Sequence, residues 1–180
     1  MSNKNILIIG VSGQDGSLLA KFLTNKNYTI FGTVREVNDY SMQRLRSLGI
    51  ENDIIISEYT LGDKKTLKKI ILKSNPVHIY FLAGPSKTNA SFENPKETIS
   101  IYLQSVTDLL DLCVVINSEM RVFIPSSSEI FGDNLFSHTE PVNENSPTSP
   151  SNPYGLAMLN NLHLANIYRN FHNLYISVGI

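Results

Sequence analysis

The sequence predicts a doubly wound α/β fold, in which helices cover both faces of a mainly parallel β-sheet. Residues 6–9 are four consecutive branched apolar residues, a pattern typical of a strand buried on both faces. A glycine-rich turn follows, and apolar residues at helical spacing begin after Ser17. Strand-like and helix-like segments then alternate without a repeat or an internal linker, which predicts one domain over residues 1–180.

The remaining elements follow from the same two periodicities. Short apolar runs predict five further strands, at residues 28–34, 54–56, 77–82, 121–124 and 174–180. Helical spacing predicts helices at residues 17–23, at 40–48, around Leu67, Ile70 and Ile71, at 95–116 and at 154–171. The 95–116 helix carries one apolar stripe, formed by Ile99, Leu103, Val106, Leu110 and Cys113 and widened by Leu109, Leu112 and Ile116. Residues 137–153 are rich in proline, serine and asparagine and predict a long loop.

Composition excludes several classes of function. The net charge is −1, so there is no electrostatic case for binding nucleic acid or an anionic membrane surface. The single cysteine, Cys113, excludes an internal disulfide and fits a reducing, cytoplasmic compartment. No signal peptide is visible, and no apolar run approaches the ~18 residues of a membrane span. The four histidines and the carboxylates lack metal-ligand spacing, so no metal is expected.

The glycine-rich turn predicts a phosphate site. Gly10, Gly13 and Gly16 follow a G-x-x-G-x-x-G spacing between a strand and a helix. Free backbone N–H groups and the helix dipole converge there, and the missing Cβ atoms let a pyrophosphate approach. A turn that merely needs positive φ angles would carry the same glycines, so the flanking strand and helix favour the nucleotide interpretation.

The end of the second predicted strand bears on the choice of cofactor. NAD sites usually place an acidic residue there for the ribose 2′-hydroxyl, whereas NADP sites use an arginine near the 2′-phosphate. Arg35 follows that strand directly and favours NADP. Glu36 partly cancels its charge, so NAD stays possible, and Arg35 could equally be a solvated surface residue.

Two groups of residues could carry chemistry. Ser127, Ser128 and Glu129 follow the fifth predicted strand, at the carboxyl edge where open α/β sheets bind ligands. A serine hydroxyl can bind a substrate hydroxyl, and a glutamate can transfer a proton. Tyr154 and Met158 lie four residues apart and share one helix face. The structural alternatives are serines that end a strand and a tyrosine that packs on a methionine.

At these residues the chain resembles the extended short-chain dehydrogenase/reductase family, and within it the GDP-mannose 4,6-dehydratase group. Four segments carry the resemblance, which extends over essentially all 180 residues: 10–17, which reads G-x-S-G-Q-D-G-S, then 91–95, 126–132 and 150–155. The first segment is rather specific for this group, whereas the glycine turn alone indicates only the superfamily. The resemblance implies a Rossmann-type cofactor domain.

The resemblance also implies an activity. Such enzymes dehydrate a nucleotide sugar, GDP-mannose or a related one, without net redox change and with NADP. Tyr154 would take the proton of the sugar 4-hydroxyl, Glu129 would act as acid and base in the elimination, and Ser127 would pair with the hydroxyl. The implied cofactor contacts are Gly10, Ser12, Gly13, Gln14, Asp15, Gly16, Arg35, Leu61, Leu82, Ala83 and Tyr154. The implied substrate contacts are Ser86, Ser127 and Ser128, and a homodimer would form through helices 95–116 and 154–171.

One departure from the family bears on catalysis. The family pattern is Y-x-x-x-K, and Met158 occupies the lysine position after Tyr154. A cation ~4 Å from a phenol is worth up to about 4 kcal/mol at an effective dielectric of 20, or roughly 3 pKa units. Without it, the pKa of Tyr154 should stay near about 10, and only ~0.1% of the residue would be ionised at neutral pH. We expect the oxidation step to be severely slowed.

Other departures concern binding. Thr60 stands where an aspartate commonly binds adenine, Phe81 replaces an asparagine, Lys87 replaces a histidine and Ser127 replaces a threonine. Family members also continue past the sixth strand into a smaller domain that grips the nucleotide sugar. The chain ends at Ile180, so we expect that domain to be absent and the chain to be truncated.

Three functions remain open at this stage. The first is a nucleotide-sugar dehydratase that is impaired as an isolated chain. The second is a catalytically degenerate NADP(H)-binding or subunit-interaction module. The third is another nucleotide-sugar epimerase or reductase of the same family.

Overall fold

The computed structural model describes residues 4–84, 88–136 and 141–180, without the side chains of residues 88–90 and 134–136. The strands are β1 Asn5–Ile9, β2 Thr29–Val34, β3 Ile54–Glu58, β4 His78–Phe81, β5 Arg121–Pro125 and β6 Tyr175–Gly179. The helices are α1 Gln14–Thr24, α2 Asp39–Ser47, α3 Lys64–Ser74, α4 Thr88–Glu93, α5 Pro95–Ile116 and α6 Pro153–His172. Two 3₁₀ segments, Glu51–Asp53 and Ser128–Phe136, complete the described elements.

The strands form one parallel sheet in the order β3-β2-β1-β4-β5-β6. The predicted doubly wound fold is therefore confirmed. The chain reverses its direction of winding between β1 and β4, which are neighbours in the sheet. Ile9, the last residue of β1, lies beside Thr33 of β2 and Phe81 of β4, so these strands end at the same sheet edge. Such a switch point is where open α/β sheets bind ligands.

The two faces of the sheet belong to different hydrophobic clusters. Alternate residues of β1 divide between them, because successive strand side chains point to opposite faces: Leu7 and Ile9 join one cluster, Ile6 and Ile8 the other. The first cluster contains side chains of α3, α5 and α6 and spans β1, β4, β5 and β6. The second contains side chains of α1 and α2 over β1, β2 and β3. On that second face, β4–β6 present a hollow of about 180 Å³, and Tyr175 beside it is 57% exposed.

Helical spacing located the helices but did not always identify their buried side. In α1, Leu18 and Phe22 are more than half exposed, whereas Ser17 and Ala20 are fully buried. In α5, Leu103 is exposed, because the helix packs on both the sheet and α6 and its buried arc runs through residues outside the predicted stripe. Those additional buried residues include Thr98, Tyr102, Ser105 and Asp108, whereas Leu109 and Leu112 are buried as predicted. Short polar α4 and the 3₁₀ segment after β5 had no periodic signal and were not predicted.

α5 also has the length and composition of a helix that could cross a membrane, the one such helix among the described residues. Only unbroken apolar runs were considered when the sequence was found to contain no membrane span. Such runs did not reveal α5, because polar residues interrupt the apolar residues of this helix. Of its most apolar window, 44% is buried within the protein, as in the core helices of many folded domains. Its packing against the sheet and α6 accounts for this composition.

The turn after β1 packs directly on the exit of β4. Gly10 has a φ of +90°, a region that favours glycine. A Cβ atom built on Gly10 would lie 2.8 Å from the backbone nitrogen of Ala83. Any side chain at Gly10 would therefore push the turn away from the sheet edge.

We expect Gly10→Ala to lower the free energy of unfolding by about 2 kcal/mol more than Gly49→Ala, since overpacking against backbone adds to the strain of positive φ. Gly49 is a matched control, because it has a φ of +66° and no atom within 4 Å of its built Cβ. Denaturant unfolding of both variants measures the difference. Equal losses would contradict the packing role of Gly10.

Candidate functional site

The carboxyl ends of β1, β2 and β4 enclose a cavity of about 650 Å³. The glycine turn forms one wall, and the start of α5 contributes another. Its lining residues are Gly10, Ser12, Gly13, Thr33, Val34, Arg35, Tyr59, Thr60, Leu61, Leu82, Ala83, Gly84, Asn94, Glu97, Thr98 and Ile101. Of the cofactor contacts implied by the resemblance, Gly10, Ser12, Gly13, Arg35, Leu61, Leu82 and Ala83 line this cavity.

Hydrogen bonds to β2 fix the glycine turn. The Gly10 N–H donates to the carbonyl and to Oγ1 of Thr33, both at 3.2 Å, and the Val11 N–H donates to the same carbonyl at 3.1 Å. Gly13 then begins α1 without a side-chain cap. The first N–H groups of α1 therefore lack the side-chain acceptor that usually satisfies them, and an anion can take that place.

The other turn residues have different surroundings. A Cβ on Gly16 would overlap the Gly10 carbonyl, so Gly16 permits close packing beneath the turn and does not line the cavity. Gly13 has more room, because its Cβ would lie 3.3 Å from that carbonyl. Gln14 and Asp15 are exposed in the first turn of α1 and also lie outside the cavity lining.

A second cavity, of about 740 Å³, adjoins the first and shares Ser12 and Arg35 with it. Arg44 of α2 lines this second cavity, and its Nη1 donates to the Ser12 carbonyl at 2.7 Å. Two guanidinium groups, those of Arg35 and Arg44, therefore flank the glycine turn. Glu36 lines the same cavity but forms no ion pair with Arg35, both residues being described. Sequence reasoning missed Arg44, although a basic residue in the helix after β2 was visible.

Polar residues from the start of α5 line the first cavity. Asn94, Glu97 and Thr98 do so together with Thr60 and Leu61 of the β3–α3 connection. The sequence had predicted packing and a dimer contact for this helix, but no contribution to the cavity. Tyr59 also lines the cavity, and burial, with a smaller effect of the Asp108 charge, raises its pKa to about 12.

The candidate catalytic residues meet at the ends of β5 and α6. The Ser127 hydroxyl hydrogen-bonds the Tyr154 phenol and accepts from the Glu129 N–H at 3.3 Å. Asn152 joins this group: its Nδ2 donates to Glu129 Oε2 at 2.6 Å, and its Oδ1 accepts from the Gly155 N–H at 2.7 Å. None of these residues lines the first cavity. Ser128 is exposed beside them, and Ser86, with Lys87, lies outside the described residues.

Asn152 thus has two tasks that sequence reasoning missed. It caps the N-terminus of α6 and holds the Glu129 carboxylate. An asparagine directly before a proline at a helix start is a common N-cap signal, so the cap itself was predictable. The bond to Glu129 was not, because it joins residues on two different elements.

Burial raises the pKa of Tyr154 above its ordinary value, the Glu129 charge adds to the rise, and the Ser127 hydrogen bond only partly offsets it. The sequence expectation of a value near the ordinary one therefore understated the difficulty of ionising this phenol. Met158 is 1% exposed and packs with Tyr102, Ile130, Phe131 and Ala157 in one buried cluster. The Tyr102 and Tyr154 rings meet edge to face with centroids 6.0 Å apart. An apolar cluster therefore lies where the family's lysine would be.

Two other departures also have definite positions. Thr60 lines the first cavity, as the family's adenine-binding aspartate would. Phe81 is fully buried in the core on the α5 side of the sheet and does not line the cavity.

Comparisons with known proteins agree with the resemblance. Residues 7–180 match the family model of GDP-mannose 4,6 dehydratase. A GDP-mannose 4,6-dehydratase of Vibrio cholerae is 31% identical over 184 residues, covering 98% of this chain and 49% of the relative. A GDP-mannose 4,6 dehydratase of Homo sapiens is 33% identical, covering 97% of this chain and 48% of the relative.

Solved structures share the fold at lower identity. UDP-glucose 4-epimerase from Brucella ovis, crystallised in complex with NAD, superposes with a TM-score of 0.83 at 22% identity, covering 97% of this chain and 50% of that one. L-threonine dehydrogenase from Clostridium difficile gives the same TM-score at 22% identity, covering 99% and 53%.

The chain spans about half the length of the curated relatives that it matches. Within this half, the family match begins in β1 and includes every later element. The chain therefore belongs to the GDP-mannose 4,6 dehydratase family, a branch of the extended short-chain dehydrogenases/reductases.

Proposed function

We propose that this chain is the NADP(H)-binding part of a nucleotide-sugar 4,6-dehydratase and has little turnover by itself. The observation that carries the proposal is the pair of adjoining cavities at the glycine turn, one fitted to a dinucleotide and the other lined by two arginines. The substrate class, GDP-mannose or a related nucleotide sugar, comes from the relatives.

The dinucleotide would lie across the switch point of the sheet. The pyrophosphate fits the uncapped start of α1, where the N–H groups of Gln14 to Gly16 are available to an anion. Val34, Leu61, Leu82 and Ala83 offer apolar contact to the adenosine half. Arg35 and Arg44 would hold a 2′-phosphate, which NADP has and NAD lacks. NAD remains the weaker alternative.

The residues at the end of β5 would carry the sugar chemistry. When bound, the nicotinamide would take a hydride from the sugar and later return it. Ser127 and Tyr154 are close enough to share one substrate hydroxyl, and Tyr154 would accept its proton. Glu129, held by Asn152, would take the proton at the neighbouring carbon and assist loss of water. Ser86 and Ser128 would complete the substrate contacts within this chain.

The surroundings of Tyr154 support the view that turnover is impaired. The raised pKa of Tyr154 keeps the phenol protonated at neutral pH, and the apolar side chain of Met158 gives its anion no compensating charge. These surroundings favour a degenerate NADP(H)-binding module as the second candidate, ahead of another epimerase or reductase of the family.

We also propose a homodimer through α5 and α6. The two helices pack along each other and leave large apolar side chains on their outer surfaces. Leu103 of α5 is 40% exposed, and Leu156 and Ile167 of α6 are 41% and 49% exposed. A second pair of the same helices would bury these residues.

Cofactor selection is tested by titrating the chain with NADPH and NADH and following nicotinamide fluorescence. We expect tighter binding of NADPH, and an NADPH/NADH affinity ratio about tenfold lower in Arg35→Gln and Arg44→Gln, since charged hydrogen bonds at exposed sites lie at the low end of their range. Arg46→Gln is the control, because Arg46 lies on the same helix but pairs with Asp39 and Glu51. An unchanged ratio in both test variants would refute the 2′-phosphate assignment.

The proton-transfer argument is tested by Met158→Lys. A cation beside the phenol should lower the pKa of Tyr154 by up to about 3 units, each unit giving about tenfold more tyrosinate at neutral pH. The pKa is read from tyrosinate absorbance as a difference from Tyr154→Phe, and product from GDP-mannose and NADP⁺ is assayed in parallel. The unaltered chain should give little 4-keto product.

Leu156→Lys adds the same charge on the exposed side of α6 and should leave the Tyr154 pKa unchanged. The Vibrio cholerae relative serves as the positive control for turnover. Product formation by the unaltered chain at the rate of that relative would disprove the impaired state. An unchanged Tyr154 pKa in Met158→Lys would disprove our account of that position.

The dimer is tested by sedimentation at several protein concentrations. We expect a dimer that dissociates in the double variant Leu103→Glu and Ile167→Glu, because charged residues cannot be buried unpaired at its centre. Leu72→Glu, at a position on α3 where the leucine is 56% exposed, should leave the dimer intact. A monomer at every concentration would rule out pairing through α5 and α6.

A further inference from the structure

We infer that Glu97 recognises the adenine base of the bound dinucleotide by accepting a hydrogen bond from its exocyclic amino group. The inference rests on the proposed cofactor binding and names the residue that selects the base. In the family an aspartate at the position of Thr60 commonly has this task, so in this chain the carboxylate would come from the start of α5.

The charges around the first cavity differ along its lining. Among the described residues that line it, Glu97 alone is acidic and Arg35 alone is basic. Arg35 also lines the adjoining arginine cavity beside the glycine turn. Glu97 also borders a surface hollow shared with Asn94 and Pro95, and Arg35 does not line that hollow. A dinucleotide with its phosphates at the glycine turn would extend its base toward the Glu97 side of the cavity.

The side chain of Glu97 is available for a ligand. Within the described ranges, no hydrogen bond or ion pair engages its carboxylate, and the residue is exposed at the cavity rim. Val34, Leu61 and Ile101 line the same cavity and can pack on the faces of a flat base. The carboxylate would then meet the edge of that base.

The chemistry of a carboxylate selects one kind of base edge. An ionised carboxylate only accepts hydrogen bonds, and adenine presents an amino group as a donor. Hypoxanthine presents a carbonyl oxygen at the same position, so the carboxylate would face another acceptor. Thr60 can donate or accept and therefore cannot make this distinction alone.

Glu97 also has a purely structural reading, because a carboxylate in the first turn of α5 interacts favourably with the helix dipole. If Glu97 had only that role, it would affect the stability of the helix, and the chain would bind dinucleotides with different bases equally well. The two readings therefore differ in base selectivity, which a structural role does not alter.

The experiment compares NADPH with its hypoxanthine analogue, measuring the affinity of the chain for each by nicotinamide fluorescence. We expect about tenfold tighter binding of NADPH, as for one hydrogen bond to an exposed charged group. In Glu97→Gln this preference should vanish or reverse, because the glutamine amide can donate to the hypoxanthine carbonyl. Glu93→Gln is the control, since Glu93 lies on neighbouring α4 and does not line the cavity.

Each outcome has one meaning. Equal binding of the two dinucleotides by the unaltered chain overturns the role of Glu97 and leaves the proposed function standing. A preference that persists in Glu97→Gln assigns the base contact to another residue and also overturns the inference. Failure to bind either dinucleotide overturns the proposed function, and the inference with it.

Discussion

The contact between the glycine turn and the ends of β2 and β4 is the constraint on which the site depends. Gly10 donates to Thr33 on one side and packs on Ala83 on the other, so three strand ends are held at one edge. This contact fixes where α1 begins and which way its free N–H groups point. Both cavities border that turn, and their positions follow from it.

A second contact holds the candidate catalytic residues at the end of β5 and the start of α6. Asn152 caps α6 and holds Glu129 with the same amide, so the helix that carries Tyr154 cannot shift without moving the carboxylate. The positions of Ser127, Glu129 and Tyr154 thus depend on backbone capping, whereas the acidity of Tyr154 depends on burial and charge. A chain can therefore keep the positions of these side chains while the phenol of Tyr154 becomes harder to ionise.

The sequence predicted the parts of the fold that are marked by the spacing of apolar residues or by glycines. Strand β1, the turn and α1 were predictable because buried strands and missing Cβ atoms leave direct patterns. Leu18 and Phe22 mark the limit of such prediction, because helical spacing does not determine which apolar side chains contact the sheet. Arg44, Glu97 and Asn152 reach the candidate site from elements predicted only as helices or loop. Their role depends on which helix end faces the sheet edge, and only the tertiary arrangement determines that.

The cluster around Met158 limits how far one substitution would restore a family-like site. Tyr102, Ile130, Phe131 and Ala157 pack around this position in one buried cluster. A lysine there would be desolvated, which favours its neutral form, while an ionised Tyr154 favours the charged form. The two groups would then titrate as a coupled pair, and the proton affinity would belong to both. The lowering of the Tyr154 pKa in Met158→Lys is therefore limited by the desolvation of the lysine, and about 3 units is its upper bound.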